Sequence, residues 1–497
     1  MANSKYEYVK SFEVWDQVML PNFILVRIGG RHFDRFAEEH GFERPTDERA
    51  LRLMNSCAVS VMEALPDIAF SYGFSDEFSF VFQKTYRGYD RRASKLLSII
   101  VSLFASLYVT KWDDFFPETE LQHAPCFHGQ VTCCATIDYL QEYLAWRQLE
   151  CHIRNQYDTC FWMLIKQGKT KEEAEEALKD TQKQEKNELL FLQFEINYSN
   201  LPPIFRQGSA VLKKETEEKV KSSDRGTPVI RTRKKLSVLH VENIASTSFW
   251  NEQSSLIKNL GVLAANISNI RKDSIRSFVF ENKLMPSTWI VIRIDGCKFH
   301  GFTKTHEFQK PNDMQALNLM NACAMAILEE FKDIVFAYGV SDEYSFVFRR
   351  DSEFYQRQAS AIVSVIVSFF SSMYVMKWKT FFPQKELKYP PSFDGRAVCY
   401  PSPNILRDYL AWRQVDCHIN NQYNTCFWML VKSGKSNTEA QTTLKESLSS
   451  FFHYQPPILH FLLFVCLHME PNRGNPLHKH CNVLFYLQIL VVITLRL

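Results

Sequence analysis

Asp342 and Glu343 are adjacent carboxylates in the turn of a hairpin. Residues 333–348 place aromatic and β-branched runs on both sides of Gly339, the pattern of two short strands around a Gly-containing turn. In an extended strand, neighbouring side chains point to opposite faces. Only one of the pair can therefore easily face a shared site; the other faces the opposite side or lies behind that site. Upstream, Trp289 to Ile294 make a largely apolar run that ends in Asp295-Gly296. A buried strand ending there delivers the Asp295 carboxylate beside Asp342. Two carboxylates and the Gly296 carbonyl make an all-oxygen donor set, which suits Mg²⁺. Asp-Gly and Ser-Asp-Glu are also ordinary turn sequences, and either alone reads more simply that way.

The arrangement occurs twice. Ile24 to Gly30 and Ile68 to Phe82 repeat it, with Asp76-Glu77 in the turn. Asp76 and Asp342 lie 266 positions apart (342 − 76), as do His152 and His418 (418 − 152). A constant offset marks a tandem duplication, with a period far beyond that of solenoid repeats.

These carboxylates need strands and helices to hold them. Leu51, Met54, Ala58, Val61, Met62 and Leu65 recur at helical spacing, and Pro66 ends that helix. A second helix is predicted from about Arg91 to Trp112, and a strand near 129–136. Strand–helix–strand–strand–helix–strand is the order of a ferredoxin-like split βαβ sheet, an α+β fold. Next comes a helix in which Trp146, Ile153, Tyr157 and Phe161 recur at helical spacing, with Arg147, His152, Arg154 and Asn155 between them. It reads either as a packed helix with a hydrogen-bonded histidine or as an RNA-contacting helix with aromatic stacking. Residues 171–188 predict one charged helix, and 213–235 a basic, irregular loop open to phosphates. The second copy tracks the first up to Ser447. The expected divisions are 1–136 and 275–402 for the two sheet domains, 137–274 and 403–447 for their extensions, and 448–497 for a divergent apolar tail.

The chain has 497 residues, 46% hydrophobic and 23% charged, enough for several cores. A net charge of +3 means that any nucleic-acid partner is met by a local patch. The 13 Cys include no C-x-x-C pair. With no signal-peptide pattern at the start, reduced thiols are expected, and Cys57, Cys151 and Cys323 fall in apolar helical patterns. The two apolar runs of the tail are shorter than the roughly 18–20 residues of a membrane helix.

The pieces R-I-D-G, S-D-E-Y-S-F-V-F, A-W-R-Q followed by C-H-I-x-N-Q-Y-N-T-C-F-W, and E-K-N-E-L-L-F together resemble the tRNA-His guanylyltransferase family, in the tandem-repeat form found in plants. The resemblance covers residues 1 to about 260 and about 275 to 447. It implies a polymerase-like palm in each copy. It also implies addition of one guanosine to the 5′ end of tRNA-His, with ATP as activator, GTP as donor and two Mg²⁺ ions per active site. Asp295, Gly296 and Asp342 are the implied metal residues, matched in copy one by Gly30 and Asp76. Glu343 and Glu77 are implied beside them among the catalytic carboxylates. The implied nucleotide contacts of copy one are Gly29, Gly30, Arg31, His32, Phe33 and Asp34, then Ser75, Asp76, Arg92 and Lys95. Those of copy two are Asp295, Gly296, Cys297, Lys298, Phe299 and His300, then Ser341 and Asp342. His152, Asn155 and Tyr157, with His418, Asn421 and Tyr423, resemble the tRNA-recognition helix. A homo-oligomer, no membrane partner and a nuclear or cytoplasmic location are implied as well.

The copies depart from that pattern in different places. Copy one has Gly29 where the family has a metal Asp. Copy two has Gln358 and Ala361 where copy one has Arg92 and Lys95, and it lacks counterparts of Glu185 to Phe191 and of Phe205 to Gly208. Two readings follow: a transferase whose copies share labour, or a catalytically impaired relative that binds tRNA or nucleotide. A palm-type nucleotide cyclase is a third class, against which the His-x-x-Asn helix argues.

Overall fold

The computed structural model describes residues 4–222, 228–261, 282–451 and 494–495. In copy one, β1 (Phe23–Gly30) leads to α1 (Phe33–Glu39) and α2 (Glu48–Ala64). The hairpin β2 (Ile68–Phe74) and β3 (Glu77–Phe82) follows, then α3 (Ala93–Thr110), the short α4 (Trp112–Phe115) and β4 (Phe127–Cys134). The strand order β4-β1-β3-β2, antiparallel throughout, is that of the expected split βαβ sheet. Asp47 starts α2 by accepting from the Arg49 amide at 2.9 Å, the usual service of an N-cap carboxylate. Leu51, Met54, Ala58, Val61 and Met62 are buried on the face that meets the sheet.

The extension of copy one begins with the 30-residue α5 (Ile137–Lys166), followed by α6 (Lys171–Leu178), α7 (Lys183–Phe194) and α8 (Pro203–Arg206). The single charged helix expected over 171–188 is thus two helices. Asp180 takes a left-handed conformation (φ 57°), and a capping box between Gln182 and Glu185 starts the chain again as α7. The expected loop over 213–235 is instead a long hairpin, β5 (Ser209–Ser222) and β6 (Pro228–Leu239), added to the β2 edge. Its register runs from Ala210 opposite Leu239 to Lys219 opposite Ile230. A reading by composition missed that the two segments pair. Next come α9 (Thr247–Glu252) and α10 (Ser254–Asn259).

Copy two repeats the plan with β7 (Trp289–Gly296), α11 (Phe299–Thr305), α12 (Met314–Glu330), β8 (Ile334–Val340), β9 (Glu343–Phe348), α13 (Ala359–Phe381) and β10 (Phe393–Tyr400), in the order β10-β7-β9-β8. Its extension is α14 (Pro403–Lys432) and α15 (Asn437–Phe451). Of the expected tail, residues 452–493 and 496–497 lie outside the described residues. The two-residue β11 (Thr494–Leu495) pairs with β8.

The copies join through α3 and α13, which pack on each other and on the opposite copy's edge strand. Serines make the seam. The amides of Phe127 and Gly129 on β4 donate to Ser368 and Ser364 at 2.8 and 2.9 Å. Those of Phe393 and Gly395 on β10 donate to Ser102 and Ser98 at 2.7 and 2.9 Å. The four bonds are two pairs related by the repeat, and they satisfy amides that a buried sheet edge would otherwise leave unpaired. Both helices are long and apolar enough to cross a membrane, but most of each is buried inside this fold. An arm crosses as well: Val9 is buried against Val291, Val347 and Val398 of copy two, and Glu13 pairs with Arg293 and Arg396 at 3.1 and 2.8 Å. Cys57, Cys151 and Cys323 are free thiols and buried, as expected.

Candidate active site

In copy two, β7 ends at Asp295-Gly296 beside the β8–β9 turn. The Gly296 amide donates to the Asp342 carbonyl at 3.1 Å. Ser341 turns the chain in a left-handed conformation (φ 55°) and donates its hydroxyl to Asp342 Oδ1 at 2.9 Å. A Cβ on residue 296 would lie 2.4 Å from the Phe299 ring and 2.7 Å from Asp342 Oδ2. Only glycine lets the backbone and the carboxylate come this close.

Register then sets three carboxylates in a row across adjacent strands. Asp295 on β7 lies opposite Glu343 on β9 and opposite Asp394 on β10. Like charges at directly opposed positions repel, so the row needs cations. At one end Arg413 of α14 donates to both Glu343 oxygens, at 2.7 and 3.0 Å. At the other end Lys95 of copy one meets Asp394 at 2.6 Å. Burial, then the charges of Asp342, Glu343 and Asp394, push the central Asp295 up to about 7, with Arg293 opposing them. Burial also raises Asp342.

Among the described residues, no three His, Cys, Asp or Glu side chains form a metal cluster by themselves. The donor set is two carboxylates and a backbone carbonyl, all oxygen. It fits a hard divalent cation that keeps water and phosphate oxygens as its other ligands.

The same positions in copy one do not fit such an ion. The row there reads Glu77, Gly29, His128. A Cβ on Gly29 would meet the His128 ring at 3.2 Å. Arg154 donates to Asp76 Oδ1 at 2.8 Å, so this carboxylate is already paired with a positive charge. Asn420 stands at the matching position of copy two. Glu77 is held by Arg147 at 2.6 Å, as Glu343 is by Arg413. Both glutamates are therefore tied to a helix of the extension.

The other sequence-predicted residues divide. Asp34, Ser75, Asp76 and Asn155 line one pocket in copy one, with Phe33, Arg154 and Asp158. Burial pushes Asp158 in that pocket up to about 6, helped by Asp34 and Asp76 and opposed by Arg154. His32 and Lys298 both adopt left-handed conformations (φ 55° and 57°), just before α1 and α11. Phe299 belongs to the core of copy two, while His300 is exposed and Cys297 half-buried. Arg31 turns away to Glu330 of copy two at 2.9 Å and lies over Phe331. Arg92 pairs with Asp16 at 3.4 Å.

On the long helices, Asn421 accepts from Asn312 at 2.8 Å, and Asn155 donates to Thr46 at 3.5 Å. Tyr157 stacks on Phe161, and Tyr423 on Phe427. His152 and His418 are half-buried. Burial, then Lys183 and Arg206, hold the His152 ring below the usual histidine range.

Sequence reading missed Asp394, His128 and Lys310, the last lowered by burial and raised by the Asp342 charge, and it named Arg154 only as a polar residue of its helix. Reading the copies against each other for charge changes finds His128, Asp394 and the pairing of Arg154, because His128 faces Asp394 and Arg154 faces Asn420 at the repeat offset.

Residues 6–135 and 272–401 match the tRNAHis guanylyltransferase family, and 138–247 and 404–461 match its C-terminal domain. The chain is 65% identical to tRNA(His) guanylyltransferase 1 of Arabidopsis thaliana over 90% of its length and 78% of that protein. It is 62% identical to guanylyltransferase 2 of the same plant, over 90% of this chain and 85% of that one. A probable tRNA(His) guanylyltransferase of Mus musculus is 43% identical over 52% of this chain and 89% of its own. The crystal structure of the Saccharomyces cerevisiae tRNA(His) guanylyltransferase is 36% identical, covering 46% of this chain and 96% of its own with a TM-score of 0.40. With its repeat pattern matched twice and plant relatives aligned across both copies, this chain belongs to the tRNAHis guanylyltransferase family.

Proposed function

We propose that the chain adds guanosine to the 5′ end of tRNA-His and that the chemistry takes place at copy two. The observation that carries this reading is the contrast between the rows Glu343-Asp295-Asp394 and Glu77-Gly29-His128. The reaction is a series of phosphoryl transfers. The 5′-phosphate of the tRNA attacks the α-phosphorus of ATP and pyrophosphate leaves. The 3′-hydroxyl of GTP attacks the activated 5′ phosphorus and AMP leaves. Hydrolysis then removes pyrophosphate from the added nucleotide.

Asp295, Asp342 and the Gly296 carbonyl would hold Mg²⁺, which when bound neutralises phosphate charge and activates the attacking oxygen. The chain's own part is positioning. The bond from the Gly296 amide fixes the turn, Ser341 orients the Asp342 carboxylate, and Arg413 ties the sheet to α14. His418, Asn421 and Tyr423 lie on that same helix, which suits it to present the tRNA end.

Purified chain, Mg²⁺, ATP, GTP and 5′-phosphorylated tRNA-His test the reading, with the added nucleotide read by mass. Asp295→Ala abolishes addition and Asp76→Ala leaves most of it. Equal losses from the two would overturn the assignment to copy two, and an inactive intact chain that still binds tRNA would favour the impaired relative.

A further inference from the structure

The carboxylate row of copy two has a row of arginines beside it. Arg293 and Arg396 stand two residues from Asp295 and Asp394 along β7 and β10, hence on the same face of the sheet. They are directly opposite each other in the ladder, where like charges repel. The residue that bridges them comes from copy one. Glu13 sets one oxygen 3.1 Å from Arg293 and the other 2.8 Å from Arg396. Burial alone would raise Glu13, yet Arg293, then Arg396, then Arg92 of copy one hold it below the usual carboxylate range. It is therefore charged while it bridges.

The arm that carries Glu13 is fastened to copy two at several points. Val9 is buried in its core, Tyr8 donates to Asp408 at 2.5 Å, and the Lys10 ammonium lies 5.2 Å from the centre of the Trp412 ring. Without Glu13 the two arginines would turn to the acid row, for Arg293 Nε already lies 4.0 Å from Glu343. A guanidinium drawn into that row neutralises charge that a metal ion needs. Copy one has neither half of this device. At the repeat offset, the counterpart of Glu13 is Val279 (279 − 13 = 266) and that of Arg396 is Gln130. Arg27, the counterpart of Arg293, faces Gln130 across the ladder and lies 3.5 Å from Glu77. The bridging carboxylate and the second arginine are thus missing together, in the copy whose metal aspartate is Gly29.

We infer that Glu13 of copy one is a positioning residue for the site of copy two: it neutralises Arg293 and Arg396, so that the acid row beside them keeps its charge for a divalent cation. This rests on the reading of copy two as the metal-dependent site. Glu13 acts through the arginines and is not itself a ligand of the ion. A purely structural role would hold the arm in place and leave the affinity of the row for metal unchanged.

The probe is Mn²⁺, which oxygen sites accept in place of Mg²⁺. It is titrated onto the full chain without tRNA or nucleotide, and the free ion is counted by electron paramagnetic resonance. The difference between the intact chain and Asp295→Ala gives the binding that belongs to this site. Glu13→Gln keeps the shape of the bridge without its charge, and weakens that binding about tenfold, the scale of a unit charge acting at short range on a divalent ion in partly buried protein. Glu13→Gln combined with Arg396→Gln has the net charge of the intact chain and recovers most of the affinity. Val9→Ala loosens the arm without changing any charge; it lowers the melting temperature and leaves Mn²⁺ binding near that of the intact chain. Unchanged binding by a folded Glu13→Gln chain, no recovery in the double variant, or a Val9→Ala loss as large as that of Glu13→Gln overturns the inference. Equal Mn²⁺ binding by the intact and Asp295→Ala chains overturns the metal reading itself, and the inference with it.

Discussion

The Arg154 guanidinium donates to the Asp76 carboxylate at 2.8 Å, a contact that copy two cannot make, because Asn420 stands at the matching position of that copy. A carboxylate already neutralised by a side chain has little use for a metal ion. The difference between the copies is therefore a rebuilt electrostatic arrangement, larger than a single missing aspartate.

Restoring that aspartate alone is accordingly expected to fail. In an Asp295→Ala background, Gly29→Asp gives no guanosine addition, because its side chain would enter beside His128, with Arg154 still on Asp76. Adding His128→Asp, Arg154→Asn and Ala361→Lys to it returns measurable addition in a single-turnover assay. Full recovery from Gly29→Asp by itself would contradict this.

The serine seam makes a stability prediction. Ser102→Ala or Ser368→Ala leaves a buried amide without its acceptor and costs about 1–3 kcal/mol. Urea melts of the two variants show it, and similar losses from the two confirm that the bonds are equivalent across the seam.

Removing Arg413 strands the Glu343 charge against the sheet. Side-chain exposures of 8% and 15% for the pair put this near the buried regime, so Arg413→Ala costs about 3–5 kcal/mol. The double change Arg413→Met with Glu343→Met is far milder in the same denaturation experiment, since the buried charge goes with its partner and only the more exposed Asp416 loses a contact.

Asp295 predicts a pH dependence for the metal-free chain. Its folded-state value of about 7 lies above the roughly 3.9 of an unfolded aspartate. Between those values the folded state binds the extra proton. The associated stability is present below about pH 4 and is lost as pH rises through about 7. Thermal melts are expected to show this slope, Asp295→Asn to flatten it, and Mg²⁺ to raise the melting temperature most at pH 8.

Much of this was legible because strands and helices carry strong periodic signals. The split βαβ order follows from the Ile24 to Gly30 run, the aromatic hairpins and the Leu51 to Leu65 spacing, all of which bury one face. The Asp295 and Asp342 pairing followed from a strand end meeting a turn. The sequence allowed Lys95 to serve either copy, but its pairing with Asp394 stayed hidden, because linear sequence does not show that α3 faces the other sheet. Asp394 stayed hidden because a single aspartate in an alternating strand looks like a solvated position. The 213–235 hairpin was hidden by its polar composition, which masks pairing when one strand adds to an existing edge.

The seam also bears on how such a chain can evolve. Two identical subunits meeting through α3-like helices would carry every substitution twice, so a glycine at the metal position would silence both sites together. Joining the halves in one polypeptide makes their meeting intramolecular, at an effective concentration on the order of millimolar, independent of dilution. Each half is then free to change alone. One can shed its carboxylates and the other its lysine, provided that the surviving set meets across the same four serine bonds.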